Sequence, residues 1–202
     1  MRLNLANQVT VSRLFIAGVF FAVISLFDAS TGRPQVSLLV TALVLYILAC
    51  VTDIIDGEIA RRHSGITTFG RVIDPFVDKV LVVGTYIFFA SNHFATPQGE
   101  NITGVQAWMV VVILIRELLV TDLRMASESQ GTSFAATFYG KLKMAVQSIA
   151  IAWILFSLVY GGIATSGIWY KSRQAAALLA VVVTLLSLVA YLRRAEFLLS
   201  ER

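Results

Sequence analysis

The sequence predicts an all-α, polytopic membrane protein with six transmembrane helices and both termini in the cytoplasm. Three observations predict it. Of the 202 residues, 57% are hydrophobic and only 14% are charged, more apolar surface than a water-soluble domain of this size can hide. Six stretches, near 9–27, 36–55, 72–91, 104–122, 142–161 and 174–193, approach the ~20 mostly apolar residues that cross a bilayer. Thirteen of the 16 lysines and arginines fall on the side that holds both termini if all six stretches span, and such an excess marks the cytoplasmic side. The 56–71 and 123–141 connections then lie in the cytoplasm too. The whole chain, 1–202, reads as one membrane domain.

The first stretch follows Arg2 and runs from Val9 to Phe27. No small-residue cleavage site follows it, so an uncleaved span is expected rather than a signal peptide. Residues 2–7 form a mixed lead-in, either plain polar chain or the start of an interfacial helix. Asn7, Thr10 and Arg13 are three apart and share a helical face, placed either to meet a nucleotide or to anchor the helix at the interface. Ser30-Thr31-Gly32-Arg33-Pro34 breaks the chain before the second stretch, and Thr96-Pro97-Gln98-Gly99 breaks it before the fourth. Cys50 is the single cysteine, which excludes an internal disulfide and suits packing in an apolar run. Arg116 and Glu117 interrupt the fourth stretch; ionised groups at that depth are expected to turn away from lipid, with Glu117 paired to a basic neighbour. Gly161-Gly162 closes the fifth.

A carboxylate cluster straddles the second and third stretches. Asp53 and Asp56 are three apart, and Asp74 and Asp78 four apart, so each pair lies on one face of its helix. A short connection joins the two helices, so the faces can meet. Four carboxylates at close range repel, and divalent cations relieve that repulsion. An all-oxygen donor set suits Mg²⁺ or Mn²⁺ rather than zinc. Two such ions suit a diphosphate whose bond is broken by in-line displacement. Gly57 permits close approach to the backbone, and Arg61 offers a fork for phosphate oxygens. Two structural alternatives stand beside this: Asp74-Pro75 as a helix cap followed by proline, and Asp53 and Asp56 as partners of Arg61 and Arg62.

The run D-x2-D-G-x2-A-R-x8-G-x3-D-x3-D, from Asp53 to Asp78, resembles the signature of the CDP-alcohol phosphotransferases without departure. Asn7, Thr10 and Arg13 resemble the N-x2-T-x2-R of the same family. The resemblance implies a six-helix membrane enzyme, usually a homodimer, that needs Mg²⁺ or Mn²⁺. It implies that Asp53, Asp56 and Asp74 hold metal, and that Asp78 stands at the metal and acts as general base on the acceptor hydroxyl. It also implies that Asn7, Thr10, Asp56, Gly57, Ala60, Arg61 and Gly70 line the CDP-lipid site.

Asp74 to Val82, Ile115-Arg116-Glu117-Leu118, Leu123-Arg124 and Gly140-Lys141-Leu142-Lys143 with Gln147 resemble the bacterial phosphatidylglycerophosphate synthases within that family. Met144 departs, at a position where that group would carry threonine. The reaction implied is transfer of the phosphatidyl group of CDP-diacylglycerol to sn-glycerol 3-phosphate, at the cytoplasmic face of a bacterial inner membrane. The chemistry agrees, because an acceptor with about two negative charges calls for cations, and Arg116, Arg124, Lys141, Lys143 and Arg194 are available. For Arg124, Lys141 and Lys143 the alternative is contact with anionic headgroups, worth about 1 kcal/mol each. Alternatives in function are a sister enzyme using inositol phosphate, serine or a phospholipid, and a metal-ion transporter lined by the four aspartates. No nucleic-acid partner is expected.

Overall fold

The structure, a computed structural model, describes the backbone of residues 5–32, 35–62, 68–129 and 138–200, and their side chains outside 5–11, 54–62, 68–75, 78, 128–129, 138 and 194–200. Six long helices make up the described chain: α1 Leu5–Ser25, α2 Val36–Arg62, α3 Thr68–Phe89, α4 Ala107–Ser129, α5 Phe138–Gly161 and α6 Gly167–Ser200. Among the described residues there is no strand, only an isolated bridge between Ala95 and Asn101.

The breaks fall where the turn residues stand. Asp28 caps a short 3-10 turn by accepting from the Ser30 N–H at 2.9 Å, and Gly32 ends it in the left-handed region. Gly99 closes the 96–99 turn onto the Thr96 carbonyl at 2.8 Å. Other boundaries differ from the apolar stretches. α2 continues to Arg62 and α3 begins at Thr68, so the aspartate motif is helical on both sides of residues 63–67. α4 reaches Ser129 and α5 starts at Phe138, which puts Arg124 and Lys141 on helices rather than in a connection. α6 starts at Gly167 rather than near 174, so Lys171 and Arg173 are helical as well. A polar helix end continues its hydrogen-bond ladder beyond the apolar segment, and hydropathy does not register it.

The helices close into a ring in which α1 contacts α2 and α3, α2 contacts α5, α5 contacts α6, α6 contacts α4 and α4 contacts α3, with α3 also touching α5 across the middle. Consecutive helices α2 and α3 thus share α1 and α5 as common neighbours. Small and aromatic residues fill the interior, among them Ala17, Phe20, Tyr46, Tyr86, Ala177 and Ala180. Gly84 lets α3 close on α1: a Cβ there would stand 2.6 Å from the Phe21 ring. Such close approach is how helices associate where lipid removes the hydrophobic drive between them. The outer surface carries Phe15, Ile47, Ile149, Leu179 and Leu186, all exposed, as a lipid-facing surface requires.

Among the described residues, four helical segments are long and apolar enough to cross a membrane: Ser12–Thr31, Val36–Asp53, Tyr139–Gly161 and Gly167–Arg193. α3 and α4 have 22 and 23 residues, and at 1.5 Å per residue each is roughly 33 Å long. They fall short on composition: the apolar part of α3 is Lys79–Phe89, and α4 carries Arg116 and Glu117, both buried inside the ring.

Candidate active site

Asp53 is the motif carboxylate whose side chain is described. It is 44% exposed and forms an ion pair with Arg13 of α1, Nη1 to Oδ1 at 2.8 Å, while Arg13 itself is 3% exposed. This partner comes from across a helix interface; the side chains of Arg61 and Arg62 are outside the described residues. Asp56, Gly57, Ala60 and Arg61 lie on the last turns of α2, and Gly70, Asp74 and Asp78 on the first half of α3; their side chains are outside the described residues. So are those of Asn7 and Thr10, which the helical spacing of α1 sets in line with Arg13.

The backbone removes one structural alternative. α3 starts at Thr68, so Asp74 stands inside the helix and caps nothing, and Pro75 is an interior residue. Proline there leaves the Arg71 carbonyl without its usual helical donor. A proline inside a continuous helix, next to a carboxylate, is not explained by capping.

A second cluster lies between α4, α5 and α6. Arg116, Glu117 and Lys143 are all buried. One oxygen of Glu117, Oε1, accepts from both Lys143 Nζ and Arg116 Nη1, the latter at 3.2 Å. Arg116 Nη2 donates to Ser187 of α6 at 2.7 Å. Two turns further along α4, Arg124 donates through Nη2 to the Tyr191 hydroxyl. Both guanidinium carbons lie 5.4 Å from the Tyr191 ring centroid. Lys79 of α3 donates to Thr121, whose hydroxyl in turn donates to the Glu117 carbonyl at 2.6 Å. Gln147 joins α5 to α6 through Thr184 at 2.8 Å. Lys141 is exposed, and the Arg194 side chain is outside the described residues.

This arrangement gathers Arg116, Arg124 and Lys143 and leaves Lys141 at the surface. It holds one buried carboxylate against several cations, and the Nε atoms of Arg116 and Arg124 are buried without a hydrogen-bond partner among the described residues. Among the described residues the cations here outnumber the carboxylates, and buried cationic donors without a partner favour an anion. On α6 sequence reasoning named Arg194 and missed the residues that meet α4 and α5. Thr184, Ser187 and Tyr191 are three and four apart in an otherwise apolar run, and that polar stripe is the signal that marks them.

The family model for CDP-alcohol phosphatidyltransferase matches residues 3–192. The chain is 34% identical over 177 residues to the CDP-diacylglycerol–glycerol-3-phosphate 3-phosphatidyltransferase of Bacillus subtilis (strain 168), covering 82% of this chain and 86% of that protein. It is 33% identical over 193 residues to a probable phosphatidylglycerophosphate synthase of Mycobacterium tuberculosis (strain H37Rv), covering 95% and 81%. It is 28% identical over 203 residues to the CDP-diacylglycerol–glycerol-3-phosphate 3-phosphatidyltransferase of Salmonella choleraesuis (strain SC-B67), covering 97% of each. An all-helical bundle with apolar outer faces, the uninterrupted aspartate motif and these matches have one meaning: the chain belongs to the CDP-alcohol phosphatidyltransferase family.

Proposed function

We propose that this chain transfers the phosphatidyl group of CDP-diacylglycerol to sn-glycerol 3-phosphate, releasing CMP and leaving phosphatidylglycerol phosphate in the bilayer. Relatives that bear this activity in their names match over most of their own length. The observation that carries the acceptor assignment is the cluster of Arg116, Arg124 and Lys143, with Arg116 and Lys143 buried, beside Glu117, the one buried carboxylate among the described residues. A neutral acceptor has no use for it. Lys141 and Arg194 add charge at the same helix ends. Family membership also weighs against the transporter alternative.

The donor set suits hard divalent ions. Asp53 offers carboxylate oxygen and is partly open to solvent; Asp56, Asp74 and Asp78 add the same chemistry at helical spacing; Cys50 lies in an apolar part of α2 and His93 in the turn after α3. Two Mg²⁺ or Mn²⁺ ions held by these aspartates would neutralise the diphosphate and the leaving CMP. Arg13 holds the Asp53 carboxylate in place. Asn7, Thr10, Gly57, Ala60, Arg61 and Gly70 bind the CDP-lipid. Arg124, Lys141, Lys143, Arg116 and Arg194 hold the acceptor phosphate, and Asp78 takes the proton from the acceptor hydroxyl as it attacks the β-phosphoryl group. An aspartate is a weak base for an alcohol, so orientation of the hydroxyl matters as much as basicity.

The chain is read as a single domain of six spans in the inner membrane of a bacterium, working as a homodimer, with both termini and the active site cytoplasmic. The lysine and arginine distribution supports this orientation, and the inward burial of the α4 charges supports α4 as a span. The test is an acceptor panel on purified protein with labelled CDP-diacylglycerol. The expected result is CMP release with glycerol 3-phosphate. Release with inositol phosphate, serine or a phospholipid instead would move the chain to a sister activity, and no release with any acceptor would remove the assignment.

A further inference from the structure

We infer that Tyr191 is a positioning residue of the acceptor site, holding Arg116 and Arg124 at the spacing that a phosphate monoester needs. This rests on the acceptor assignment above. The argument starts from the distance between the two arginines in the chain. They are eight residues apart on α4, roughly 12 Å along the helix axis at 1.5 Å per residue. Two like charges on flexible stems have no reason to gather, and buried ones repel. Yet a single ring stands 5.4 Å from both guanidinium carbons, and that ring is completely buried. Its π-electrons attract both cations and offset part of their repulsion. Its hydroxyl accepts from Arg124 Nη2, which fixes the rotation of that guanidinium as well as its distance.

Arg116 is held a second time, by Glu117 through Nη1 and by Ser187 through Nη2. Arg124 has no such second anchor among the described residues apart from Tyr191. Both keep a buried Nε without a hydrogen-bond partner among the described residues. The ring therefore sets the position of the more loosely held arginine against the firmly held one. It does so from α6, a helix that carries none of the aspartates. Tyr191 need not touch either substrate to control acceptor affinity.

The experiment is steady-state kinetics of the purified full chain with Tyr191→Phe and Tyr191→Leu, varying each substrate in turn, with inorganic phosphate as a competing anion. Tyr191→Phe keeps the ring and loses the hydroxyl, so KM for glycerol 3-phosphate should rise roughly tenfold. Tyr191→Leu also loses the cation–π contacts, and the rise should reach roughly thirtyfold or more. Inhibition by inorganic phosphate should weaken in parallel. The kcat and the KM for CDP-diacylglycerol should stay within about twofold, because the contacts act alike in ground and transition states. If wild type uses glycerol 3-phosphate and both variants keep its KM, or the KM for CDP-diacylglycerol moves instead, the inference is wrong while the activity stands. If Tyr191→Leu does not fold, Tyr191→Phe decides alone. If wild type uses a different phosphorylated alcohol, the same variants are read on that acceptor. A wild-type preference for an uncharged acceptor would overturn both the inference and the proposed activity.

Discussion

Two arginine sites stand at different depths of the same bundle. At the start of α6, Arg173 is fully buried and donates to the backbone carbonyls of Ile102, Gly162, Ala164 and Trp169, the last three at 3.0, 3.4 and 3.2 Å. It ties the loop before α4 to the loop after α5. Gly104, in the left-handed region, brings that first loop so close to α6 that a Cβ would meet Gln174 at 2.7 Å. Further along, Arg116 and Arg124 sit against Tyr191, Arg116 shares the Glu117 carboxylate with Lys143, and the Nε of each arginine has no hydrogen-bond partner among the described residues. In the first site every nitrogen is satisfied by groups that cannot leave. In the second, charge and donors exceed the acceptors among the described residues. Satisfaction marks a structural cation, and surplus marks one kept for a ligand.

The comparison is broken most severely at Glu117. Glu117→Gln leaves Lys143 and Arg116 buried without their carboxylate, which should cost about 3–5 kcal/mol. The melting temperature in detergent should fall accordingly, and the double variant Glu117→Gln with Lys143→Met should regain most of the loss. Arg173→Met provides the contrast: stability should fall by about 2–3 kcal/mol as several carbonyls lose a charged donor, while KM for both substrates stays unchanged in the folded fraction. A shift in acceptor KM for Arg173→Met would end the distinction between the two sites.

A loss of charge at the aspartate motif should act on turnover alone. Asp74→Asn keeps the shape of the residue, and Asp74 caps no helix, so melting should be unchanged while kcat falls at least about a hundredfold. Near-normal turnover would remove Asp74 from the machinery. The smallest effect is expected at the surface. Lys141 is exposed, so Lys141→Gln should raise KM for glycerol 3-phosphate only a few-fold, about what a solvent-screened charge contributes, and high salt should erase the difference. A rise as large as that for Lys143→Gln would place Lys141 inside the pocket.

Periodicity and composition determined much of this protein. Apolar length located six helices, turn residues such as Gly32 and Gly99 located the breaks, and the aspartate spacing marked the motif, because each of these follows from interactions within a few residues of chain. The partnership of Glu117 with a basic neighbour was legible too, since a carboxylate in an apolar run must find a cation. What only the tertiary structure decided is which helices stand side by side. The ring order puts α1 against both α2 and α3, so Arg13 reaches Asp53 across a helix interface. It brings α6 against α4, so Ser187 and Tyr191 meet Arg116 and Arg124 across some 70 residues of chain. The α3 boundary, which takes Asp74 out of the capping role, likewise depends on a helix that continues through polar sequence. Contacts between helices depend on how whole faces fit, on small residues such as Gly84 and on rings such as Tyr191, and no local pattern in the chain encodes that fit.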